Sequence, residues 1–566
     1  MYYKLPFLIG FCLLTGLYSR AQSAFAPKTT FTHADTLRGS IGPERAWWDL
    51  LKYDLRFEPD YDKKALKGEN TILFKVVTEG QTMQIDLQEP MNILSVVWRG
   101  KALTYTREEN VFHVHFPRPL REGSVETIAI KYEGIPQVAT RPPWAGGWTW
   151  TTDKQGRPWM SVSCYYDGAS LWFPCKDHPA DEPDSGVVMH ITVPDSLVGV
   201  GNGRLREKKV NGNGTTTYTW VVVNPINSYD IIPYIGKYVS WSEVHTGLKG
   251  KLDCNFWVLD YNLEKAKLQF KQVDTMLDAH EYWMGPYPFY EDGYKLVEAP
   301  YLGMEHQSNV AYGNNFVNGV QGSDGSGTGW GMKWDFIIVH ESGHEWFGNS
   351  ITEKDGADMW LHEGFTDYTE TLYTTYLYGV EAGNDYLIGS RRNIRNDRTI
   401  IGYYGVYKQG SQDMYYKGGN MLHMIRQIMG DSAYRGLLHG LGRDFYHQTV
   451  TTQQVEAYIS RYAGKDLSKI FDQYLRTIKI PVLEYRATGD GIAYRWNNCV
   501  SGFNMPVKVF AGGLPEQWIT PTEEWQTLRA EDGGGAAAGG GVSGGAAGDG
   551  SFSVDRNFYV TVKRAG

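Results

Sequence analysis

A pair of histidines followed by a glutamate constrains this chain more than any other part of its sequence. The run His-Glu-Ser-Gly-His occupies residues 340–344, and Glu363 follows within the run Trp-Leu-His-Glu-Gly-Phe. Histidines four residues apart on a helix share one face, so His340 and His344 can bind one ion, with Glu363 as a third ligand from a second helix. Three ligands leave a fourth tetrahedral position open, which is typical of catalytic zinc. The sequence therefore predicts one Zn²⁺ per chain.

The residues around the motif indicate that this metal site is buried. Glu341 follows the first histidine, close enough to take a proton from a water molecule that the metal activates. Apolar residues flank the motif on both sides, at 336–339 and 346–348. Two surface histidines on an amphipathic helix are the simpler interpretation. Imidazoles and a carboxylate within such an apolar run, however, need a partner such as a metal.

Two longer runs resemble a known protein family. Residues 339–349 read Val-His-Glu-Ser-Gly-His-Glu-Trp-Phe-Gly-Asn, and residues 360–370 read Trp-Leu-His-Glu-Gly-Phe-Thr-Asp-Tyr-Thr-Glu. Both are similar to the zinc aminopeptidases of the aminopeptidase N and leukotriene hydrolase family. The resemblance implies a thermolysin-like catalytic domain that holds zinc and releases single residues from the N-termini of peptides.

Residues 301–306 resemble the substrate-binding strand of that family. By this match Gly303, Met304, Glu305 and His306 lie alongside the substrate, and Glu305 binds its free α-ammonium group. His306 stands where the family has asparagine. A peptide amine titrates near about 7.7–8.0, so a carboxylate placed one residue's length from the zinc selects for a charged amine.

A third motif supplies a tyrosine for the implied chemistry. Residues 415–418 resemble the family's Tyr-x-Lys-Gly motif, whose first tyrosine stabilises the transition state. The match assigns this role to Tyr415. It leaves Tyr416, one residue later, as the alternative.

The helix predicted around Glu363 carries two more carboxylates on the same face. Asp367 and Glu370 follow at helical spacing, so either can hydrogen-bond a zinc ligand and orient it. His362 replaces an asparagine of the family. Because it precedes Glu363 directly, we expect it to point elsewhere and to bind no zinc.

Two further stretches bear on the substrate site. Residues 172–179 resemble the family's Phe-Pro-Cys signature, and in the family a Gln or Glu upstream of this signature helps to hold the substrate amine. Tyr165 occupies that position here. The glycine-rich run 319–331 is not followed by the Gly-Lys-Ser/Thr of a phosphate-binding loop, so we interpret it as a mobile loop near the site entrance.

Length and patterning predict a multidomain α+β protein. Short β-branched and aromatic runs predict an N-terminal antiparallel β-domain over residues 22–246. Helical spacing and the resemblance predict a mainly helical zinc catalytic domain over residues 247–480. Strand-like runs return in a small C-terminal β-sandwich over residues 481–566, with a flexible Gly/Ala-rich loop at 531–549. Because no long C-terminal helical domain follows, we expect a more open site than in longer family members.

The first 21 residues predict export. Lys4, the apolar run 5–17 and the small residues around 19–21 are typical of a secretory signal peptide cleaved before Gln22. The apolar run is shorter than the roughly 20 residues that span a bilayer, and a retained membrane anchor is the alternative. The mature protein is therefore expected to be periplasmic or extracellular, without stable membrane insertion.

Charge and cysteine content exclude several classes of protein. The formal net charge of −9 disfavours nucleic acids and anionic membranes as partners. The cysteines beyond the signal peptide are too few for a disulfide framework in a chain of this length. Cys164 and Cys175 can pair or remain buried thiols, and the sequence leaves both alternatives open.

These features together predict an exported zinc aminopeptidase that acts on peptides with a free N-terminus. Glu341 is expected to move the proton, Tyr415 to stabilise the oxyanion, and Glu305 to set the position of cleavage. A zinc endopeptidase and an epoxide hydrolase on the same scaffold remain open alternatives. A non-catalytic binding protein is less consistent with the intact ligand set.

Overall fold

A computed structural model describes residues 29–489, 491–511, 516–529 and 552–566 of the chain. The predicted signal peptide, residues 1–21, and the predicted Gly/Ala-rich loop, residues 531–549, lie outside these ranges. A β-rich part, a mainly helical part and a small second β-rich part follow one another along the chain. The predicted architecture, an N-terminal β-domain followed by a helical catalytic domain, is confirmed.

The N-terminal part consists of two short helices followed by strands. The helices are α1 (His33–Gly39) and α2 (Pro43–Ala46). The strands are β1 (Trp48–Asp60), β2 (Ala65–Val76), β3 (Gly80–Asp86), β4 (Asn92–Trp98), β5 (Lys101–Glu108), β6 (Val111–Leu120), β7 (Val125–Gly134), β8 (Gly147–Thr152), β9 (Pro158–Ser163), β10 (Val187–Pro194), β11 (Val198–Val200), β12 (Arg204–Val210), β13 (Thr215–Val222) and β14 (Tyr234–Gly236).

These strands form two sheets. Ten of them pair in the order β12-β13-β10-β1-β2-β7-β4-β5-β6-β3, and the others in the order β11-β14-β9-β8. Burial alternates along β1, where Leu55 and Phe57 are buried and Arg56 between them is exposed, as expected for a sheet with one face against the core. The expected antiparallel pattern has one exception, because β10 returns beside β1 in the parallel direction.

A buried ion pair in the N-terminal part stabilises the segment 164–177, which contributes two tyrosines to the functional site. Arg45 Nη2 lies 2.5 Å from Asp86 Oδ2, and both side chains are almost fully buried. Asp86 also accepts a hydrogen bond from the backbone amide of Asp177 at 3.0 Å. The Asp177 carboxylate in turn accepts two backbone amides of the turn at 169–171. These bonds hold the irregular segment 164–177, which carries two tyrosines of the functional site.

The two cysteines whose pairing the sequence leaves open are both in this segment. Cys164 and Cys175 are buried, and each is a free thiol. Burial raises the pKa of both thiols well above the usual value, so neither is a reactive thiolate. The structure therefore contains Cys164 and Cys175 as buried thiols, and they do not form a disulfide.

The catalytic part combines one sheet with a helical bundle. Its strands are β15 (Tyr238–Gly247), β16 (Gly250–Leu259), β17 (Tyr294–Glu298), β18 (Gly303–Met304), β19 (Val310–Tyr312), β20 (Ile351–Glu353) and β21 (Gln448–Val450). Its helices are α3 (Leu263–Gln269), α4 (Gln272–Met284), α5 (Phe336–Gly343), α6 (Trp360–Tyr378), α7 (Val380–Ser390), α8 (Tyr416–Met429), α9 (Asp431–Asp444), α10 (Thr452–Ala463) and α11 (Ser468–Arg476).

The main sheet of this part has the order β15-β16-β17-β19-β18, so β18 is an edge strand. The predicted domain boundary at residue 247 falls at the turn of the β15–β16 hairpin. Both strands of this hairpin belong to the same sheet as β17. The sheet of the catalytic part therefore begins before the predicted boundary.

Helices α5 and α6 pack closely at the centre of the catalytic part. The Asp335 carboxylate caps α5 by accepting the backbone amides of Ile337 and Ile338 at 3.1 and 3.4 Å. A Cβ atom at Gly343 would lie 2.6 Å from Thr369 Oγ1, so a glycine is needed where α5 approaches α6. Every residue of α6 from Trp360 to Thr375 is buried. The two helices that carry the predicted ligands therefore lie in the core.

The C-terminal part consists of strands only among the described residues. They are β22 (Val482–Thr488), β23 (Gly491–Asn497), β24 (Val507–Ala511), β25 (Gln517–Ile519), β26 (Gln526–Arg529), β27 (Phe552–Val554) and β28 (Thr561–Arg564). Two sheets form in the orders β26-β23-β22-β28 and β25-β24-β27. The rings of Tyr485 and Phe552 lie 4.8 Å apart and join the two sheets.

Candidate active site

One cavity of about 570 Å³ collects the predicted site residues, with the exception of His306. It lies where β18, α5, α6 and the start of α8 meet. The predicted residues that line it are Gly303, Met304, Glu305, His340, Glu341, His344, Glu363, Asp367, Glu370 and Tyr415.

The three predicted ligands converge on one point. His340, His344 and Glu363 bring one ligand atom each within 4.8 Å of one another. Glu363 Oε2 lies 3.8 Å from His340 Nε2 and 3.3 Å from His344 Nε2. Two atoms that each bind a tetrahedral zinc at about 2.1 Å are about 3.4 Å apart, so these separations fit a single zinc ion. His344 lies just past the last residue of α5, in helical conformation.

Outer contacts orient both histidines toward Glu363. His340 Nδ1 lies 2.7 Å from Glu370 Oε1, and the hydroxyl of Tyr386 donates to the other oxygen of that carboxylate. His344 Nδ1 lies 3.0 Å from the Phe347 carbonyl oxygen. Because both Nδ1 atoms have outer partners, both Nε2 atoms are left for a metal.

The charges of the group also fit a cation. Although burial opposes ionisation, hydrogen bonds to His340 and His344 hold the pKa of Glu363 below its usual range, so it is a carboxylate. Burial also lowers the pKa of His340, but Glu363 and Glu370 outweigh it and raise that pKa well above its usual value. A metal cation that binds here displaces the proton from the histidine and balances the negative charge of the carboxylates in its place. The residues present therefore fit zinc.

Glu341 lies beside the ligands and against the edge strand. A Cβ atom at Gly303 would lie 2.6 Å from Glu341 Oε1 and 2.8 Å from Ile337 Cδ1, so a larger residue there would displace the ends of these two side chains. Burial raises the pKa of Glu341 to about 7, with His340 opposing and Glu305 adding to the shift. A carboxyl group with a pKa near neutrality can both accept and release a proton.

Glu305 presents its carboxylate to the same group of atoms. Single ligand atoms of Glu305, Glu341 and His344 lie within 4.8 Å of one another. The Tyr229 hydroxyl donates to Glu305 Oε1 at 3.2 Å. Burial raises the pKa of Glu305 and the carboxylate of Glu363 adds to the shift, although His344 opposes it. The carboxylate is therefore placed to receive a cationic group of a ligand.

Two of the singled-out histidines lie outside the cavity. His306 is fully buried behind it, with Nδ1 2.6 Å from the Tyr234 hydroxyl. Glu305 lines the cavity, whereas His306, the next residue, does not. His306 is therefore the one predicted substrate-binding residue that does not line this cavity. His362 pairs with the Glu353 carboxylate and, as expected, points away from the ligand group.

The tyrosine motif reaches the cavity through two adjacent residues. The Tyr415 hydroxyl donates to Glu363 Oε1 at 2.6 Å. Burial raises the pKa of Tyr415 well above its usual value, so the hydroxyl keeps its proton and remains a donor. Tyr416 begins α8 and also lines the cavity. Of the two carboxylates on α6, Glu370 bonds a predicted ligand, whereas Asp367 lines the cavity beside it.

Several cavity contacts were not predicted from the sequence. Tyr229 and Tyr386 hydrogen-bond Glu305 and Glu370, respectively. Tyr166 and two arginines of the segment 391–395 line the cavity. Tyr166 directly follows Tyr165, which departs from the family pattern, so that departure could have pointed to Tyr166 as a cavity residue. The other residues belong to no motif and reach the site only through the fold.

Comparison with known protein families gives two matches along the chain. The Peptidase M1 N-terminal domain matches residues 50–229, and the Peptidase family M1 domain matches residues 271–474. Aminopeptidase M1 of Arabidopsis thaliana is 22% identical over 457 residues, which are 76% of this chain and 50% of the plant protein. Leukotriene A-4 hydrolase of Xenopus laevis is 21% identical over 456 residues, 76% of this chain and 70% of that protein. The chain thus spans about half the length of the plant relative.

Solved structures share the fold. An M1 zinc metallopeptidase from Deinococcus radiodurans superposes with a TM-score of 0.67 at 21% sequence identity. The similarity covers 79% of this chain and 98% of that protein. The β-rich N-terminal domain followed by a helical catalytic domain is thus an arrangement common to both proteins.

The outer contacts of His340 predict a graded effect on zinc affinity. We expect Glu370→Gln to weaken zinc binding about 10- to 100-fold, because the imidazole loses its charged partner. Tyr386→Phe should cause a smaller loss, since it removes one bond to Glu370. Zinc dissociation constants from chelator competition measure both effects. Tyr434→Phe is the matched control, because that buried hydroxyl bonds no described residue. Parent-like affinity in Glu370→Gln would contradict the assignment.

Proposed function

The chain belongs to the M1 family of zinc metallopeptidases, and from this we propose that it is an aminopeptidase that removes the N-terminal residue of peptides. One observation carries the proposal. One carboxylate oxygen of the buried Glu305 lies within 4.8 Å of ligand atoms of Glu341 and His344, at the inner end of an edge strand. A peptide whose ammonium group binds this carboxylate places its first peptide bond over the ligand group.

The edge strand gives the peptide a direction. Gly303 and Met304 line the cavity, and β18 pairs with β19 on one side only. An extended peptide can add to such an edge through main-chain hydrogen bonds. Glu305 lies at the end of this strand, so a substrate with more than one residue before the scissile bond would clash with it. This arrangement favours an aminopeptidase over an endopeptidase.

The side chains divide the chemistry among them. Zinc held by His340, His344 and Glu363 supplies a Lewis acid that polarises the scissile carbonyl and activates water. The Glu341 carboxylate accepts a proton from the attacking water and delivers it to the leaving nitrogen. The Tyr415 hydroxyl donates to the carbonyl oxygen as negative charge develops on it.

Selection for a free amine tests the proposal directly. We expect N-acetylation of an aminoacyl reporter substrate to lower kcat/KM by at least about tenfold to a hundredfold, because the charged hydrogen bond to Glu305 is lost. Glu305→Gln should lose activity on the free amine and narrow this ratio. The Glu341→Gln variant and chelator-treated parent enzyme serve as controls that measure the background rate of substrate hydrolysis. Equal rates on free and acetylated substrate by the parent would favour an endopeptidase instead.

The two adjacent tyrosines can be separated by kinetics. We expect Tyr415→Phe to lower kcat by about 10²–10³ with little change in KM, because its hydroxyl acts on the transition state. Tyr416→Phe is the matched control, since that ring lines the same cavity and its hydroxyl has no assigned part in the chemistry. The opposite pattern would transfer the role to Tyr416.

We also propose that the chain is exported with removal of residues 1–21. The support is the sequence pattern at the N-terminus, which lies outside the described residues. Among the residues that the structure describes, no helix is long and apolar enough to cross a bilayer. N-terminal sequencing of protein secreted by an expressing bacterium should begin at Gln22. A mature product that retains Met1 in the membrane fraction would show an anchor instead.

A further inference from the structure

Two arginines line the active-site cavity at the end away from Glu305. Arg392 and Arg395 follow helix α7, and the described lining residues include no other lysine or arginine. The remaining charged side chains of the cavity are the carboxylates and histidines around the predicted zinc ligands. The cavity therefore has an acidic end and a basic end.

The course of β18 along α5 places these ends on opposite sides of the ligands. Glu305 has an atom within 4.8 Å of His344, at the end of α5. Gly303 lies against Ile337, at the start of α5. The strand therefore runs parallel to the helix, and a peptide whose N-terminus lies at Glu305 runs antiparallel to both. A peptide that starts at Glu305 and follows this strand passes the zinc ligands and leaves beside the start of α5.

The arginines lie beside the start of α5. Arg392 Nη2 donates to the carbonyl oxygens of Asp324 and Gly325 at 3.1 and 2.9 Å, on the loop that precedes this helix. The Tyr386 ring of α7 lies 5.4 Å from the Trp334 ring, two residues before α5 begins. The segment after α7 is therefore next to the point where such a peptide leaves the ligand group.

Neither guanidinium group has an anionic partner in the described part of the protein. The side-chain bonds of Arg392 go to neutral carbonyl oxygens. The Arg395 side chain is exposed and makes no hydrogen bond or salt bridge with a described residue, although it lines the cavity. Arg391 next to them differs, because it is committed to Asn420 and to backbone carbonyls of the C-terminal part. Two of the three arginines thus present positive charge to the cavity.

The backbone around these arginines is held in place. The amides of Arg395 and Asn396 donate to the two carboxylate oxygens of Asp413 at 2.8 and 2.6 Å. Asp413 is buried and lies two residues before Tyr415 in the chain. Asp413 therefore fixes the backbone of the arginine segment close in sequence to Tyr415. A segment that is already fixed loses less conformational entropy when a substrate binds to it.

We propose that Arg392 and Arg395 bind the C-terminal carboxylate of short peptides, so that the enzyme prefers oligopeptides of a few residues with both termini free. The inference rests on the proposed aminopeptidase function. A guanidinium group matches a carboxylate through two parallel hydrogen bonds, which gives geometric selection as well as charge. Only a peptide whose length spans the two ends of the cavity can use both contacts.

Matched peptide pairs test this directly. One sequence series from dipeptide to hexapeptide, each as free acid and as C-terminal amide, is compared by kcat/KM for release of the first residue. We expect one short length to be favoured and amidation at that length to lower kcat/KM by about tenfold. At the longest length the acid and the amide should react alike. An acid-to-amide ratio near one at every length would overturn the proposal.

Substitutions connect the effect to the arginines. Arg395→Gln should bring the acid-to-amide ratio close to one, and Arg395→Glu should lower it below one. Arg392→Gln should act in the same direction, but it also releases the loop at 324–325. Arg206→Gln is the matched control, because Arg206 is also exposed, its side chain bonds no residue of the described ranges, and it does not line the cavity. An unchanged ratio in Arg395→Gln would overturn the assignment.

Two further substrates distinguish this proposal from binding of a side-chain carboxylate and from failure of the proposed aminopeptidase function. An amidated peptide that ends in glutamate tests a side-chain carboxylate as the ligand, and full recovery of the free-acid rate would overturn the role of the terminal carboxylate. Aminoacyl arylamides have no carboxylate and report the proposed aminopeptidase function alone. Their hydrolysis should be equal in parent and in the control Arg206→Gln. If arylamides are cleaved while the acid-to-amide ratio stays at one, the proposed function stands and this inference falls.

Discussion

The pairing of Glu363 with His340 and His344 between two buried helices is the contact on which the rest of this site depends. Burying three ionisable groups is unfavourable unless each has a partner. The fold meets this requirement in two layers, since the three groups face one another and outer partners such as Glu370 hold the histidine rings. A cation that binds at their meeting point is coordinated by side chains that are already oriented, which lowers the cost of binding.

The same burial prepares the neighbouring carboxylates for their proposed roles. Desolvation raises the pKa of Glu341 to about 7, which suits a group that must take up and release a proton. Glu305 is buried as well, so a substrate ammonium group gains more from this carboxylate than it would from one in water. With two arginines at the far end, the cavity carries opposite charges along the path of a peptide. That polarity gives the substrate one favoured orientation.

The departures from the family pattern are connected in the structure. The Tyr165 hydroxyl lies 3.2 Å from His362 Nδ1, so two replacements that are distant in sequence contact each other. His306 bonds Tyr234 behind the cavity. These replaced side chains bond within the protein, and Glu305, with its bond from Tyr229, is left as the carboxylate that we propose binds the amine. A single replaced motif residue therefore does not indicate a lost function.

The sequence by itself singled out the proposed zinc ligands and base, and it determined that a β-rich domain precedes a helical catalytic domain. A helix converts the spacing of His340 and His344 into proximity without help from the rest of the fold, and alternation of apolar residues likewise marks strands. The tertiary structure decided everything that depends on contacts between distant segments. Tyr386 reaches Glu370, and Arg395 reaches the cavity, only because α7 packs beside the start of α5. His306 lies outside the cavity with its ring against Tyr234, and only the packed fold decides that placement.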